Sequence, residues 1–345
     1  MQKNYKENHL KSYAVRSINS KGRIYKESEN SIRSPYQRDR DRIIHSSSFR
    51  RLKHKTQVFV NTEGDHYRTR LTHSMEVSQI ARTLARFLGL NEDLSETLSL
   101  SHDLGHTPFG HAGEEALSQC MGKHGGFDHN IQTLRIVTLI ENKYYEFYGL
   151  NLTIETLDGL IKHNGPVKNF TDFKKIFRKD QFRNKIVFNT FPSLEAQVAA
   201  ISDDIAYNNH DLEDGLRAGL FSFKKIVSMP HVSKLINRHV KNIKNFRKEI
   251  IISQIVRDLI NLMVVDVINT TNKNLKLCSP QSINDIYKQD RLIVDFSVKM
   301  KKIDKEIKEF LKRNMYNHKK VITSANKGKR VINDLFKYLS KNPKT

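Results

Sequence analysis

The stretch Thr72–Leu90, THSMEVSQIARTLARFLGL, has the residue spacing of an amphipathic helix. Its apolar residues recur at intervals of three and four, so they share one side of a helix. These residues are Val77, Ile80, Ala81, Leu84 and Leu88. Gly89 predicts the end of this helix, because glycine readily takes the left-handed conformation of a C-cap. His73 lies four residues before Val77 on the same stripe, so we expect its imidazole to point into the core.

The sequence that follows this helix repeats the helical spacing. A second helix is predicted from Glu92 to Asp103, before Pro108 forces a turn. A third is predicted in residues 192–220, PSLEAQVAAISDDIAYNNHDLEDGLRAGL. One of its faces is apolar and the other has small residues that lead to Asp203, so we expect both faces to be buried. Alternation of apolar and polar residues is almost absent, and the predicted fold class is all-α.

The composition predicts a soluble, cytoplasmic protein that does not bind membranes. A chain of 345 residues can bury a substantial core without disulfides. Cys120 and Cys278 lie far apart in sequence, so we expect them to be reduced thiols. No apolar segment follows the basic N-terminus, which argues against a secretory signal. The most apolar run, residues 249–268, contains charged side chains that a membrane span would have to bury.

The positive charge is concentrated in the C-terminal third of the chain. The formal net charge is +22. Residues 221–345 contain 28 Lys and Arg against 10 Asp and Glu, a surplus of +18, and residues 1–220 contribute +4. Two interpretations are equally open: solvated lysine-rich helix faces, or attraction to polyphosphate or nucleic acid. We predict a polar arm over residues 1–34, a helical core over residues 35–220 and a basic helical region over residues 221–345 packed on that core.

Three separate segments contribute to a candidate metal site. They supply His73, the adjacent pair His102 and Asp103, and Asp203. Two imidazoles and two carboxylates suit one divalent ion such as manganese, iron, cobalt, nickel or zinc, with positions left for water and substrate. The absence of cysteine from this set argues against a closed structural zinc site. A single buried histidine more often has only a structural role, and the combination of segments is what favours a metal.

Six stretches around these residues resemble one family of enzymes. The stretches are SPYQRDRDRIIHSSSFRRLKHKTQVF, RTRLTHSMEVSQIAR, HDLGHTPFGHAGEEAL, FDHNIQTLRI, KHNGP and SLEAQVAAISDDIAYNNHDLEDGLRAG. Together they resemble the bacterial deoxyguanosine triphosphate triphosphohydrolases, which belong to the HD superfamily of metal-dependent phosphohydrolases. The resemblance covers residues 34–220. The final third of the chain resembles the family only in general character.

The resemblance implies a fold, an activity and a cofactor. The fold is an HD-domain helical bundle with a basic C-terminal helical extension. The activity converts a dNTP and water into a deoxynucleoside and inorganic triphosphate through attack at the α-phosphate. His73, His102, Asp103 and Asp203 are implied to hold one divalent ion, with manganese favoured over magnesium, iron, cobalt, nickel or zinc. The family pattern selects Asp203 rather than Asp204, and we expect Asp204 to have a supporting or structural role.

The resemblance also implies catalytic residues. His111 is the leading candidate for proton transfer, because histidine titrates near neutral pH. Glu114 lies three residues further on and is expected to hold the imidazole of His111 in one tautomer. His129 is the second candidate, placed to protonate or neutralise around the α-phosphate. His106 is a weaker candidate, for which we favour a structural role in the turn.

Five further residues are implied to bind the substrate. Arg70 and Lys162 are expected to bind the phosphates, which bring about four negative charges. Gln57 matches a family residue that touches the deoxyribose. Tyr207 is expected to pack its ring against the sugar where a 2′-hydroxyl would otherwise fit, and Asp211 completes its row on the helix face. The preferred base is not indicated.

The partners and two competing functions stay open at this stage. Family members tend to be homo-oligomers whose activity responds to a dNTP effector or to single-stranded DNA. The first competing function is hydrolysis of another nucleotide, such as an alarmone, a cyclic dinucleotide or a nucleoside monophosphate. The second is nucleic-acid binding by a protein whose metal site is vestigial, for which the basic C-terminal third is the best support.

Overall fold

A computed structural model of the chain describes residues 5, 7–28, 30–58, 67–168, 185–240 and 246–343. Within these ranges the regular structure is helical, as the sequence predicts, with only isolated β-bridges. None of the helices in these ranges combines the length and the apolarity needed to cross a membrane. The helices are α1 Pro35–Ile44, α2 Ser47–Arg51, α3 Arg70–Leu88, α4 Glu92–Ser101, α5 Gly110–Cys120, α6 His129–Arg135, α7 Ile154–Ile161, α8 Leu194–Arg217, α9 Phe223–Val227, α10 Pro230–Val240, α11 Lys248–Cys278, α12 Ile283–Tyr287, α13 Val298–Leu311 and α14 Lys319–Lys341.

Helix α3 has the predicted buried stripe. Val77, Leu84 and the other apolar residues of the stripe are almost completely inaccessible to solvent. Gly89 ends the helix with a φ of 68°, and its N–H donates to the carbonyl of Ala85. The predicted inward position of His73 is also confirmed, because its side chain is buried.

Helix α4 ends earlier than the sequence predicts. Its last residue is Ser101 rather than Asp103, and His102 is the C-cap. The N–H groups of Leu104 and His106 donate to the carbonyls of Ser101 and Asp103, so the backbone tightens into consecutive turns. His102 and Asp103 therefore lie in a compact turn at the end of the helix.

Helix α8 lies between two apolar clusters. Leu194, Val198 and Ile205 belong to the cluster that contains the α3 stripe. Ala196 and Ala199 belong to the second cluster, which contains the apolar residues of α4 and α7. The prediction that both faces of this helix are buried is confirmed.

Helices of the basic C-terminal region share the first of these clusters. Leu259 and Met263 of α11, and Ile303 and Ile307 of α13, pack in the same cluster as α3 and α8. The apolar core is thus continuous across residue 220, where the sequence suggested a boundary. The division of the chain into three parts stays a prediction.

The N-terminal arm is irregular but not peripheral. Residues 1–4, 6 and 29 of the predicted arm lie outside the described residues. Leu10, Ala14 and Val15 are buried in the two clusters. The Val15 N–H donates to the carboxylate of Glu195 at 2.9 Å. Part of the segment predicted as a polar arm therefore packs in the core, because its apolar side chains and backbone find buried partners.

Helix α14 packs on α5, with a glycine against the loop that precedes α5. A Cβ built on Gly328 would lie 2.6 Å from Cγ of Phe109. Phe109 has a φ of 65° immediately before α5, a conformation that is rare for a side chain of this size. Gly328 therefore leaves the space that this strained loop needs.

We expect Gly328→Ala to lower the free energy of unfolding by about 1–3 kcal/mol, because the added methyl group overpacks the Phe109 ring. Urea denaturation measures the effect. Gly122→Ala is the matched control, since a Cβ built on Gly122 meets no heavy atom within 4 Å. Equal urea midpoints for the two variants would contradict this prediction, because they would show that the loop around Phe109 moves to accommodate the methyl group.

Candidate active site

A cavity of about 290 Å³ opens where α3, α8 and the turn after α4 meet. Most residues predicted for the site line this cavity. They are Gln57, Arg70, His73, His102, Asp103, His111, His129, Asp203 and Tyr207. Glu114, Lys162 and Asp211 are not among the lining residues. The fold thus gathers side chains from distant segments around one space.

Three of the predicted metal ligands converge closely. The ligand atoms of His73, His102 and Asp203 all lie within 4.8 Å of one another. The His73 Nε2 is 2.8 Å from Oδ1 of Asp203, and the His102 Nε2 is 3.7 Å from the same oxygen. Helix α3 supplies the first of these residues, the end of α4 the second and α8 the third.

His102 has the protonation state of a metal ligand. Its Nδ1 is 2.6 Å from the carbonyl oxygen of Ser99, which can only accept, so the proton is on Nδ1. The Nε2 is buried and has no hydrogen-bond partner. Burial lowers the pKa of the imidazole, which favours the neutral form. A lone pair therefore faces the cavity.

The fourth predicted ligand, Asp103, is shared with other groups. Its Oδ2 accepts a hydrogen bond from Arg70 at 2.9 Å. Its Oδ1 is 3.0 Å from Nδ1 of His106 and 3.4 Å from Nε2 of His102. Asp103 thus lies beside the cluster, but it is not one of the three residues whose ligand atoms all lie within 4.8 Å of one another.

The two neighbouring aspartates of α8 have different surroundings. Asp203 contacts the histidines, whereas the Asp204 carboxylate forms an ion pair with Lys308 at 2.8 Å. The Asp204 side chain is 48% exposed. Asp204 thus has its closest ion pair outside the histidine cluster.

Glu114 holds His129 rather than His111. The Glu114 Oε1 is 2.8 Å from Nδ1 of His129 and also accepts the backbone N–H of that residue. The nearest distance from Glu114 to Nδ1 of His111 is 3.7 Å, and the His111 side chain is 75% exposed. The expected His111 and Glu114 pair is present only at this longer distance, because the backbone of α6 starts beside Glu114 and brings His129 closer.

His106 belongs to the same group of side chains. Its ring centroid lies 4.0 Å from that of His129, and it lines the cavity. Burial lowers the pKa of His106 to about 3, so the imidazole is neutral at physiological pH. His106 therefore lines the candidate site beside His129, in addition to its predicted place in the turn.

Gly105 allows the turn to approach α6. A Cβ built on Gly105 would lie 2.0 Å from the carbonyl oxygen of His129. The Gly105 N–H donates to Oγ1 of Thr133, and this hydroxyl also contacts the carbonyl oxygen of His102 at 3.2 Å. This close contact sets the distance between the histidines of the turn and His129.

The expected phosphate ligand Lys162 faces away from the cavity. Its Nζ is 2.7 Å from Asp158, one turn earlier on α7, and 2.8 Å from Oγ1 of Thr190. Only 2% of the side chain is exposed. The next residues of the same motif, His163 and Asn164, line the cavity instead. The sequence thus located the motif, but at the end of α7 the residues that face the cavity are His163 and Asn164 and not Lys162.

Asp211 is held behind the cavity by a residue of the C-terminal region. The Tyr316 hydroxyl donates to Oδ2 of Asp211 at 2.5 Å. Burial raises the pKa of Asp211 to about 7, although the Tyr316 hydrogen bond opposes the change. The Tyr316 and Tyr207 rings lie 6.3 Å apart. No motif in the sequence pointed to Tyr316.

A second cavity of about 490 Å³ adjoins the first. The two share Gln57, His111 and Tyr207 among their lining residues. The second adds aromatic and basic side chains from the loop before α5 and from the C-terminal region. Among these are Phe109, Lys308, Lys312 and Tyr316. The C-terminal contribution was not predicted from the sequence, because none of the motifs that resemble the family lies in this region.

Comparison with known proteins gives consistent matches over the chain. The HD domain model matches residues 70–208, and the phosphohydrolase-associated domain model matches residues 294–345. A deoxyguanosinetriphosphate triphosphohydrolase-like protein of Pelagibacter ubique is 58% identical over 325 residues, which cover 94% of this chain and 88% of that protein. Proteins with the same description in Parvibaculum lavamentivorans and Bartonella henselae are 50% and 49% identical, over 96% of this chain and 85% and 84% of their own lengths. The chain belongs to the deoxyguanosinetriphosphate triphosphohydrolase-like family.

The HD domain of this family implies a divalent metal, and the residues present fit one. The orphaned Nε2 of His102 faces the cavity beside Asp203. A cation can replace the proton shared by His73 and Asp203, because ligands bind metals in their deprotonated forms. Nitrogen and oxygen donors suit the mid-series divalent ions, so His73, His102 and Asp203 would hold the metal, with Asp103 beside them.

We expect Asp203→Asn to weaken Mn²⁺ binding by more than about tenfold, because an amide is a poorer ligand than a carboxylate. Calorimetric titration of the purified protein with Mn²⁺ measures this without any assay of activity. The neighbouring substitution Asp204→Asn is the control and should leave the affinity within about twofold of the parent. Parent-like affinity in Asp203→Asn would rule out this cluster as the metal site.

Proposed function

We propose that this chain is a dNTP triphosphohydrolase that acts on dGTP or a related deoxynucleotide. The main support is the shared cavity, into which the His73, His102 and Asp203 cluster and the His129 imidazole both open. An adjoining cavity with aromatic side chains has the size and character of a nucleoside site. The relatives named above are described as deoxyguanosinetriphosphate triphosphohydrolase-like, which agrees with this function.

In this proposal the substrate spans both cavities. The α-phosphate lies near Arg70, His106 and His129 in the smaller cavity. The deoxynucleoside lies in the larger one, whose lining includes Tyr207 and Tyr316. Arg70 suits phosphate binding because a guanidinium offers a planar fork of donors. Its Nη1 is held by Asp103 at 2.9 Å, which fixes the direction of the remaining donors.

The metal and the protein would contribute different parts of the chemistry. A divalent ion at the His73, His102 and Asp203 cluster would supply Lewis-acid activation of the phosphate and of water. His129 would supply the proton that the departing 5′ oxygen needs. Burial lowers the pKa of His129, but the hydrogen bond to Glu114 and the negative charges of Glu114, Asp128 and Asp103 together raise it above its usual value. Glu114 thus favours the protonated form of His129.

His111 has a secondary place in this mechanism. Its exposed side chain borders both cavities, where it can contact the substrate at the mouth. Glu114 positions His129 through two hydrogen bonds. We therefore assign the proton transfer to His129 and substrate contact to His111, which reverses the order that the resemblance suggested.

Several properties predicted from the composition or implied by the resemblance stay predictions here. They are manganese as the ion, a homo-oligomeric assembly, a cytoplasmic location and a response to a dNTP effector or to single-stranded DNA. Nucleic-acid binding by a vestigial site is the less supported alternative, since the candidate ligands are present and three of them converge.

With dGTP and Mn²⁺, we expect the purified protein to release deoxyguanosine and inorganic triphosphate in equal amounts. Ion-exchange chromatography separates these products. His129→Gln should lower kcat by about 10²–10⁴-fold, the usual contribution of a general acid, and should leave Mn²⁺ binding unchanged. The exposed His124 offers a control, His124→Gln, that should keep full activity. Release of pyrophosphate or of a monophosphate would contradict the proposal and favour another nucleotide hydrolase.

We expect Tyr207→Ala to raise the kcat/KM for GTP relative to dGTP by about tenfold, because the ring would no longer fill the space beside C2′ of the sugar. Parallel assays with the two nucleotides measure the ratio. The control is Tyr145→Ala, since this tyrosine is fully exposed. An unchanged ratio in a folded Tyr207→Ala protein would exclude this role in sugar selection.

A further inference from the structure

A third cavity lies between the N-terminal arm and the beginnings of α1 and α7. Its volume is about 420 Å³. Basic side chains dominate its described lining, and Glu27 is the carboxylate among them. The basic lining residues are Lys21, Arg23, Lys26, Arg33, Arg38 and Lys185. This lining shares no residue with the two active-site cavities.

The guanidinium groups at this cavity outnumber their carboxylates. Glu27 lies 2.8 Å from Arg42 and 3.7 Å from both Arg23 and Arg38. Asp39 forms a short ion pair with Arg23, and Asp41 lies 2.9 Å from Arg33. Burial and the charges of Arg23 and Arg42 lower the pKa of Arg38, which reflects the crowding of like charges. The wall of the cavity therefore has a positive potential that its own acidic groups do not cancel.

The N-terminus of α1 adds to this potential. Pro35, the first residue of α1, lines the cavity, whereas the N-cap of α7, Thr153, already donates its N–H to the buried carboxylate of Asp39 at 2.9 Å. The N-terminus of a helix has a partial positive charge and attracts anions. The charge of the side chains and the N-terminus of α1 thus favour the same kind of ligand.

We propose that this cavity binds a polyphosphate group, such as inorganic triphosphate or the triphosphate of a nucleotide. The cations are spread around the cavity, which suits a chain of phosphates better than a single small anion. Arg38 supplies a partly buried guanidinium, and Lys26 and Lys185 supply exposed ammonium groups at the rim. The site shares no lining residue with the proposed catalytic cavity.

Occupation of this cavity would reinforce the attachment of the arm. The Lys21 N–H donates to Glu155 of α7 at 2.6 Å, and Arg23 contacts the carbonyl oxygen of Asn151 at 2.6 Å. A bound anion would be shared by the arm, α1 and the start of α7. We therefore expect polyphosphate to raise the temperature of unfolding in proportion to its binding.

Calorimetric titration with inorganic triphosphate, without divalent ions, tests the proposal on the full chain. The Arg70→Ala protein serves as the parent, so that binding at the catalytic cavity is weakened. Adding Lys26→Gln and Lys185→Gln should weaken the remaining binding by about tenfold, since two charged donors are lost. Both lysines are exposed, so these changes should leave the fold intact.

The control adds Lys299→Gln and Lys302→Gln to the same parent, two exposed lysines of α13 with the same change in net charge. We expect this protein to bind triphosphate within about twofold of the parent. Equal affinities of the two double variants, or no binding by the parent, would overturn the proposal. Neither result depends on catalytic activity, so the proposed function is judged separately.

ATP and inorganic phosphate, each titrated into the same proteins, identify the ligand class. Equal binding of ATP and triphosphate supports recognition of the phosphate chain alone. Tighter binding of ATP supports a nucleotide as the ligand. Binding of single phosphate as tight as that of triphosphate would overturn the assignment to polyphosphate.

Discussion

The contact between His73 of α3 and Asp203 of α8 is the constraint on which the site depends. The two side chains meet at 2.8 Å across the helices, far apart in sequence. Asp203 can occupy this position because α8 is packed on both faces, with aliphatic side chains in one cluster and alanines in the other. A helix buried in this way has little freedom to shift or rotate, since interiors are close-packed. Tyr207 and Asp211 follow on the same helix, so the same packing positions them.

The tight turn after α4 is the second element that shapes the site. It places His102 beside Asp203 and gives Asp103 contacts with Arg70 and His106. Gly105 lets α6 approach this turn, and His129 is the first residue of α6. The proposed metal ligands and His129, the proposed proton donor, are therefore connected through backbone packing.

The C-terminal region completes the site from outside the matched motifs. Tyr316 binds Asp211, and Lys308 and Lys312 line the larger cavity. Part of the positive surplus of this region thus lies where a triphosphate substrate would approach. Other lysines of α13 and α14 are exposed to solvent. Both interpretations of the charge therefore have residues that support them.

The sequence by itself determined the helical class, the burial of α3 and α8, and the segments that form the site, because periodicity and motif spacing are local properties of the chain. It did not determine which side of each motif faces the cavity. Lys162 was expected there, but the end of α7 presents His163 instead. Glu114 was expected to hold His111, but α6 brings His129 closer. Contacts between distant segments, such as Tyr316 with Asp211, were decided only by the tertiary structure, since they depend on how whole helices pack.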